Sequence, residues 1–333
     1  MFGRLCSRRG IKLTFGASLG TRSLSNAGGG SKVGLIGLGN MGQGMAANLI
    51  QSAGSPSEVM VYDIVQENLD KVVALGATAM PDVASLANAC DIIVTMVPAT
   101  RHVQGLMHGS GGIFENARSG SLLIDCSTID PLASQALAEE AMNKYELNMI
   151  DAPVSGGVTG AAAGTLTFMV GGDEKDVTRA TPVLDRMGKA VIHCGTAGKG
   201  GVTKLCNNLS LAISMIGTCE AMALGKRLGM DSTKLAEVMN TSTARCWSSD
   251  TYNPVPGVFE GVPASRDYEG GFGSALMAKD LTLALDAGAQ VEARLPLGSH
   301  AHQLYGLLME HGMGDKDFGV VYKYLTRSNM PQK

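Results

Sequence analysis

Beyond residue 30 the chain changes its hydrophobic rhythm once. As far as residue 194, apolar residues gather in short unbroken runs at Val33–Ile36, Val59–Tyr62, 91–97, 122–125, 149–154, 166–170 and 190–193. Runs of that length, apolar on both faces, predict strands buried inside a sheet. Between them Met45, Leu49 and Ile50 mark an amphipathic helix, and residues 131–144 and 176–187 form two more helical stretches. Strands separated by helices predict an α/β fold with an open, largely parallel, doubly wound sheet. From residue 195 the runs cease. Val202, Leu205, Leu209, Ile213 and Ile216 recur at steps of three and four, which predicts a long helix after the turn formed by residues 195–200. Two domains are expected: a sheet domain over 31–194 and an all-α C-terminal domain over 195–333.

The first strand ends in Gly37-Leu38-Gly39-Asn40-Met41-Gly42, and the first helix begins at once. In that context each glycine has a mechanical use. Gly37 permits a tight turn, Gly39 lets backbone approach a pyrophosphate, and Gly42 lets helix pack on strand. The free N–H groups at the helix start, around Asn40 and Met41, face the anion. The second strand ends in Asp63, 21 residues past Gly42, placed to accept hydrogen bonds from a dinucleotide ribose and to repel a 2′-phosphate. No Lys or Arg stands between Asp63 and Lys71. A Rossmann-type sheet with NAD rather than NADP is expected. In such sheets ligands sit beyond the carboxyl ends of the strands, where Val97-Pro98, Ser127-Thr128 and Ser155-Gly156-Gly157 fall.

Lys204 and Asn208 lie one turn apart on the long helix, a lysine beside an amide on a mostly apolar element. That helix follows the glycine-rich connection between the two parts, where a substrate cleft would open. Residues 246–273 show neither period, carry Pro254, Pro256 and Pro263, and hold five of the chain's 15 aromatic residues. So aromatic a segment predicts an ordered loop, either a lid or an arm packed between subunits. Lys279-Asp280-Leu281 then opens a further apolar helix and brings a second lysine toward the cleft.

Composition narrows the partners. With 333 residues, 45% of them hydrophobic and 17% charged, the chain can build its own core. Its net charge of −3 offers no field for a nucleic acid or an anionic membrane, and neither is expected as a partner. Seven scattered cysteines without a CxxC pair, and only His300 and His302 close in sequence, predict reduced thiols and no protein-bound metal. The stretch nearest to a membrane span, 205–224, includes Asn207, Asn208 and Glu220, so no spanning segment is expected. Residues 1–30 carry Arg4, Arg8, Arg9, Lys12 and Arg22 and no acid, the first acid being Glu58. Basic, serine-rich, acid-free composition predicts a mitochondrial transit peptide and linker, hence the matrix.

Together, the 37–42 turn, Asp151-Ala152-Pro153-Val154-Ser155-Gly156-Gly157, the Gly195 turn leading to Lys204 and Asn207-Asn208, and Lys279-Asp280-Leu281 resemble the β-hydroxyacid dehydrogenase family. The resemblance runs from about residue 32 to the C-terminus. It implies Lys204 as catalytic residue, Ser155, Gly156, Gly157 and Asn208 as substrate contacts, and Thr128 and Lys279 as cofactor contacts beside Val97 and Pro98. It also implies a homodimer or homotetramer, and oxidation of 3-hydroxyisobutyrate to methylmalonate semialdehyde in valine breakdown. Reduction of tartronate semialdehyde or glyoxylate is the alternative within the family, and an inactive NAD-binding interaction module the alternative outside it. Two residues depart from the family pattern: His102 stands where Asn is frequent, and Gly201 where Gln is frequent, which bears on the nicotinamide contacts. In the expected mechanism the backbone N–H groups of residues 155–157 hold the substrate carboxylate. Neutral Lys204 takes the hydroxyl proton as hydride leaves for NAD, Asn208 orients the oxygen or the lysine, and the aromatic loop excludes water.

Overall fold

The computed structural model describes residues 31–54 and 58–326, so the basic segment read as a transit peptide lies outside the described residues. Its strands are β1 (Val33–Ile36), β2 (Val59–Tyr62), β3 (Thr78–Ala79), β4 (Ile92–Thr95), β5 (Leu122–Asp125), β6 (Asn148–Asp151), β7 (Val154–Ser155), β8 (Leu166–Gly171) and β9 (Gly188–Gly195). They form one sheet in the order β3-β2-β1-β4-β5-β6-β8-β7, with β9 pairing with β8. From β3 to β6 every pairing is parallel. Helices α1 (Asn40–Gln51), α2 (Gln66–Val73), α3 (Val83–Ala89), α4 (Thr100–Met107), α5 (Ile113–Asn116), α6 (Pro131–Tyr145), α7 (Gly157–Ala162) and α8 (Glu174–Leu184) connect the strands.

Alternate strand residues point to opposite faces, and each face has its own apolar cluster. Leu35, Val61, Val94, Ile124 and Ile150 meet Met45 and Leu49 on one side. Ile36, Ile93, Leu123 and Met149 meet Val103, Met107 and Leu137 on the other. Burial on both sides explains why these strands read as unbroken apolar runs.

One expected strand is in fact two. The run 149–154 breaks after Asp151 because Pro153 has no N–H for the ladder, and Val154–Ser155 turns away to pair antiparallel with β8. The sheet therefore keeps its parallel order up to β6 and reverses there.

The remainder is helical: α9 (Lys199–Arg227), α10 (Ser232–Thr241), α11 (Trp247–Asp250), α12 (Ser274–Gln290), α13 (Pro296–Glu310) and α14 (Val321–Thr326). Met215, Cys219, Met222, Met277, Leu281, Tyr305, Leu308 and Phe318 form its core. By length and composition α9 could cross a membrane, with a mean hydropathy of 1.2 in its most apolar stretch, which corrects the sequence expectation. Asn207, Asn208 and Glu220 are too few to offset its Leu, Ile, Met and Ala content. In the structure α9 packs on β8, α12, α13 and α14.

The aromatic segment 246–273 is folded into this helical core. Tyr268 is buried and donates to the Pro254 carbonyl at 2.8 Å, while Tyr252 donates to Asp317 Oδ2 at 2.8 Å. Burial pushes the Asp317 carboxyl up to about 6 against the pull of the Gly319 and Phe272 N–H groups and the Tyr252 hydroxyl. Trp247 stacks on Tyr252, and Tyr252 on Phe318. Pinned at both ends, the segment is scaffold for α9 and α12.

Candidate active site

At the carboxyl end of β1 the glycine turn has the expected build. Gly37 sits at φ +94°, and a side chain there would strike the Met96 carbonyl. A Cβ at Gly42 would collide with the Gly37 carbonyl, whereas one at Gly39 meets nothing within 4 Å. Gly39 thus borders open space, and the first N–H groups of α1, those of Asn40, Met41 and Gly42, have no partner within the helix. Asp63 accepts hydrogen bonds from the backbone N–H groups of Leu38 and Val65, so the carboxylate at the tip of β2 also braces the turn. Each of its oxygens keeps a second acceptor direction for a ribose hydroxyl. A dinucleotide fits this cradle: its pyrophosphate needs the space at Gly39 and the helix N–H groups, and its ribose needs the acid.

The loops after β4 and β5 are tied to one another. Val97 N–H donates to Ser127 Oγ at 2.9 Å, and Asp130 N–H to Thr100 Oγ1 at 3.2 Å. Lys279 reaches across from α12, donating to the Thr128 carbonyl at 2.8 Å and the Pro98 carbonyl at 3.4 Å. Val97, Pro98, Thr128 and Lys279 therefore meet at one edge. His102 is exposed in the first turn of α4.

Lys279 also pairs with Asp280 Oδ1 at 3.1 Å, and Asp280 Oδ2 accepts from Asn208 Nδ2 at 2.6 Å. Asn207 in turn donates to Asn208 Oδ1 at 3.0 Å. One turn before Asn208, Lys204 is 8% exposed, and its side-chain amine makes no hydrogen bond or ion pair among the described residues. Burial holds its amine below the usual lysine range; the Asp280 carboxylate pulls the other way, and Lys279 adds to the depression. A buried amine with no fixed partner, beside a carboxylate–amide pair, is equipped to exchange a proton with a bound ligand.

Gly156 and Gly157 follow β7 with φ of +135° and +61°, a turn only glycine adopts readily, and it leads directly into the first N–H groups of α7. Among the described residues no hydrogen bond joins this turn to Lys204. Their link is Asp151, four positions before Ser155, whose carboxylate accepts from the N–H groups of Gly198 (2.6 Å) and Gly201 (2.7 Å) at the start of α9. Beside it in register lies Asp125, fully buried, accepting from Thr95 Oγ1 at 2.8 Å and Ser127 N–H at 3.1 Å, with its other oxygen unpartnered. Burial pushes the Asp125 carboxyl up to about 6.

Asp125, Asp151 and Asp280 were not singled out by sequence reasoning. A signal existed for the first two, since each is a lone acid closing an otherwise apolar strand run at the ligand-binding edge. Asp280 was visible only as the neighbour of Lys279.

The glycine cradle, the acid at β2 and the buried amine define a dinucleotide-dependent oxidoreductase of the Rossmann class. Two family profiles match: the NAD binding domain of 6-phosphogluconate dehydrogenase over residues 32–195, and the NAD-binding region of NADP-dependent 3-hydroxyisobutyrate dehydrogenase over 198–325. A probable mitochondrial 3-hydroxyisobutyrate dehydrogenase of Dictyostelium discoideum is 51% identical, the match covering 89% of this chain and 91% of that one. The mitochondrial 3-hydroxyisobutyrate dehydrogenase of Homo sapiens is 48% identical over 88% and 86%. A solved Mycobacterium tuberculosis 3-hydroxyisobutyrate dehydrogenase, with L-serine, superposes with a TM-score of 0.83 at 39% identity, covering 89% of this chain and 99% of that one. The chain belongs to the 3-hydroxyisobutyrate dehydrogenase family, and NAD is its cofactor.

Proposed function

We propose that the protein oxidises 3-hydroxyisobutyrate to methylmalonate semialdehyde, with Lys204 as the group that takes the hydroxyl proton. The observation that carries this reading is the burial of an unpaired Lys204 amine next to Asn208 and Asp280, joined through Lys279 to the loops at the cofactor edge. Bound NAD supplies the hydride acceptor. The cradle residues Gly37, Gly39, Asn40, Met41, Gly42 and Asp63 would hold it, with Val97, Pro98, His102, Thr128 and Lys279 along its nicotinamide end. The N–H groups of Ser155, Gly156 and Gly157 receive the substrate carboxylate, an arrangement supported by the two successive positive φ angles. Asn208, held by Asp280, steadies the substrate oxygen. Lys204, whose desolvated position favours the free amine, accepts the hydroxyl proton as the carbon–hydrogen electron pair departs, and in reverse it returns that proton to the aldehyde oxygen.

The same site favours a second substrate of matching chemistry. An NAD-dependent L-serine dehydrogenase of Pseudomonas aeruginosa is 45% identical over 88% of this chain and 97% of its own length. L-serine also carries a hydroxymethyl group next to a carboxylate-bearing carbon. We further read residues 31–194 and 195–333 as two domains, supported by the positions of the family matches, and residues 1–30 as an import sequence directing the chain to the mitochondrial matrix, supported by its mitochondrial relatives. A homodimer is supported by the apolar residues left uncovered on α9.

NADH absorbance followed on a panel of 3-hydroxyisobutyrate, L-serine, glycerate and glycolate tests the reading. The wild type should turn over 3-hydroxyisobutyrate with the highest kcat/KM, and Lys204→Ala should lose about 10²- to 10⁴-fold in kcat while binding NAD normally. Full turnover by Lys204→Ala would remove the lysine from the mechanism.

A further inference from the structure

We propose that Asp151 is a positioning residue for the reaction, its carboxylate clamping the first turn of α9 to the end of β6 so that Lys204 and the 155–157 turn share one frame. This rests on the reading of Lys204 given above.

Helix α9 has no cap of its own. Its N-cap is Gly198, at φ +84° and without a side chain, yet two N–H groups of its first turn are satisfied from a strand 47 and 50 residues earlier. No cation pairs with Asp151 among the described residues, and a buried carboxylate without a cation is costly unless N–H groups surround it. Here both oxygens meet N–H groups at the positive end of a 29-residue helix, which pull the carboxyl down against the burial that holds it above the usual carboxylate range. The fit allows no slack. A Cβ at Gly200 would strike the Met169 carbonyl of β8 before lying 2.8 Å from Asp151 Oδ2, and one at Gly171 would lie 2.5 Å from Asp151 Oδ1 and 2.8 Å from Lys199 N, so β6, β8 and α9 are in close contact around Asp151.

From this clamp two short paths lead to the chemistry. Lys204 is three residues past Gly201 and on the same helical face, so displacement of the first turn moves the amine with it. Ser155 is four residues past Asp151, along a segment fixed by β7 and by Met169 N–H donating to the Pro153 carbonyl at 3.0 Å. Asp151 is the side chain through which the carboxylate-holding turn and the amine-bearing helix are registered, and both its oxygens are engaged by backbone N–H groups in doing so.

Asp151→Asn tests the clamp, because the amide is isosteric but presents an N–H to one of the two N–H groups it should accept from. Activity is normalised to NAD-binding sites titrated by NADH fluorescence, and the single variants are compared with the Asp151→Asn/Lys204→Ala double variant. The expected result is a fall in kcat of about 100-fold with NAD affinity unchanged, the scale of a misplacement near 1 Å, and a double variant no slower than Lys204→Ala alone. Asp151→Ser, which shortens the clamp and leaves a single hydroxyl to accept, should reproduce the kcat loss and carries the test if Asp151→Asn does not fold. A normal kcat per NAD site in the folded variants, or losses that multiply in the double variant, would overturn the proposal while leaving Lys204 in place. Full activity of Lys204→Ala would instead overturn the underlying reading, and the clamp's role with it.

Discussion

Lys204 is the residue at which burial and charge oppose each other most directly. Desolvation lowers its affinity for a proton, Lys279 lowers it further, and Asp280 restores part of it. Oxidation requires the free amine, so kcat/KM should rise with pH through an acid limb set by Lys204. Asp280→Asn removes the restoring carboxylate and should move that limb to lower pH; Lys279→Met removes the repelling cation and should move it to higher pH. Limbs moving the opposite way in pH–rate profiles would reject this assignment. The same residue also burdens the fold. A lysine whose folded pKa is depressed destabilises in full below that pKa, and the penalty fades only as pH climbs toward the unfolded value. Lys204→Met should therefore be inactive yet more stable by about 1–4 kcal/mol near neutral pH, with the gap in Tm narrowing in alkaline buffer. Of this residue-scale picture, the sequence made Lys204 and Asn208 legible through their spacing on one helix face. Their surroundings were only partly legible: Asp280 comes from another helix 72 positions away, and Asp151, marked as the lone acid closing an apolar strand, meets backbone N–H groups that residue type does not single out.

At the scale of elements, the most legible piece was the one whose function needs particular backbone rather than particular side chains. The turn between β1 and α1 separates two kinds of glycine. A side chain at Gly42 would run into the Gly37 carbonyl, while at Gly39 it would enter open space. Gly42→Ala should accordingly lose both thermal stability and NAD binding. Gly39→Ala should melt like the wild type but bind NAD about tenfold more weakly or worse, having blocked the approach of the pyrophosphate. Thermal melts paired with NADH titrations distinguish the two, and equal losses of stability would refute the distinction. What the sequence could not convey was strand direction. The short apolar run of β8 is consistent with either sense, and only the antiparallel pairing with β6 and β7 reveals that the sheet reverses after β6. Nor could the 246–273 segment be assigned by period. It holds its place through single side-chain contacts such as Tyr252 to the Asp317 carboxylate and Tyr268 to the Pro254 carbonyl, and pins of this kind have no repeat to detect.

For the whole molecule, the open question is what covers α9. A largely apolar helix is stable in water only when its apolar faces are covered, and β8, β9, α6 and α10–α14 leave one face of this one open. Along the uncovered face lie Val202, Cys206, Ser210, Gly217, Ala221 and Leu224, with Leu228 just past the helix end; Leu224 is 60% and Leu228 is 78% exposed. A bilayer is a poor candidate for the cover. The inner face of α9 is already engaged by protein, and Glu220, Lys226 and Arg227 flank the exposed stripe, where their charges would resist entry into hydrocarbon. A second copy suits it better, since small residues at the middle of the stripe let two helices approach closely and a twofold axis would cover both stripes at once. Light scattering on the purified protein should therefore give twice the chain mass. Leu224→Glu should weaken the dimer at least about tenfold without altering NADH binding at equal chain concentration, because Leu224 lies 20 residues, about 30 Å, along the helix from Lys204. A wild type that scatters as a single chain at micromolar concentration would leave the face without its proposed partner.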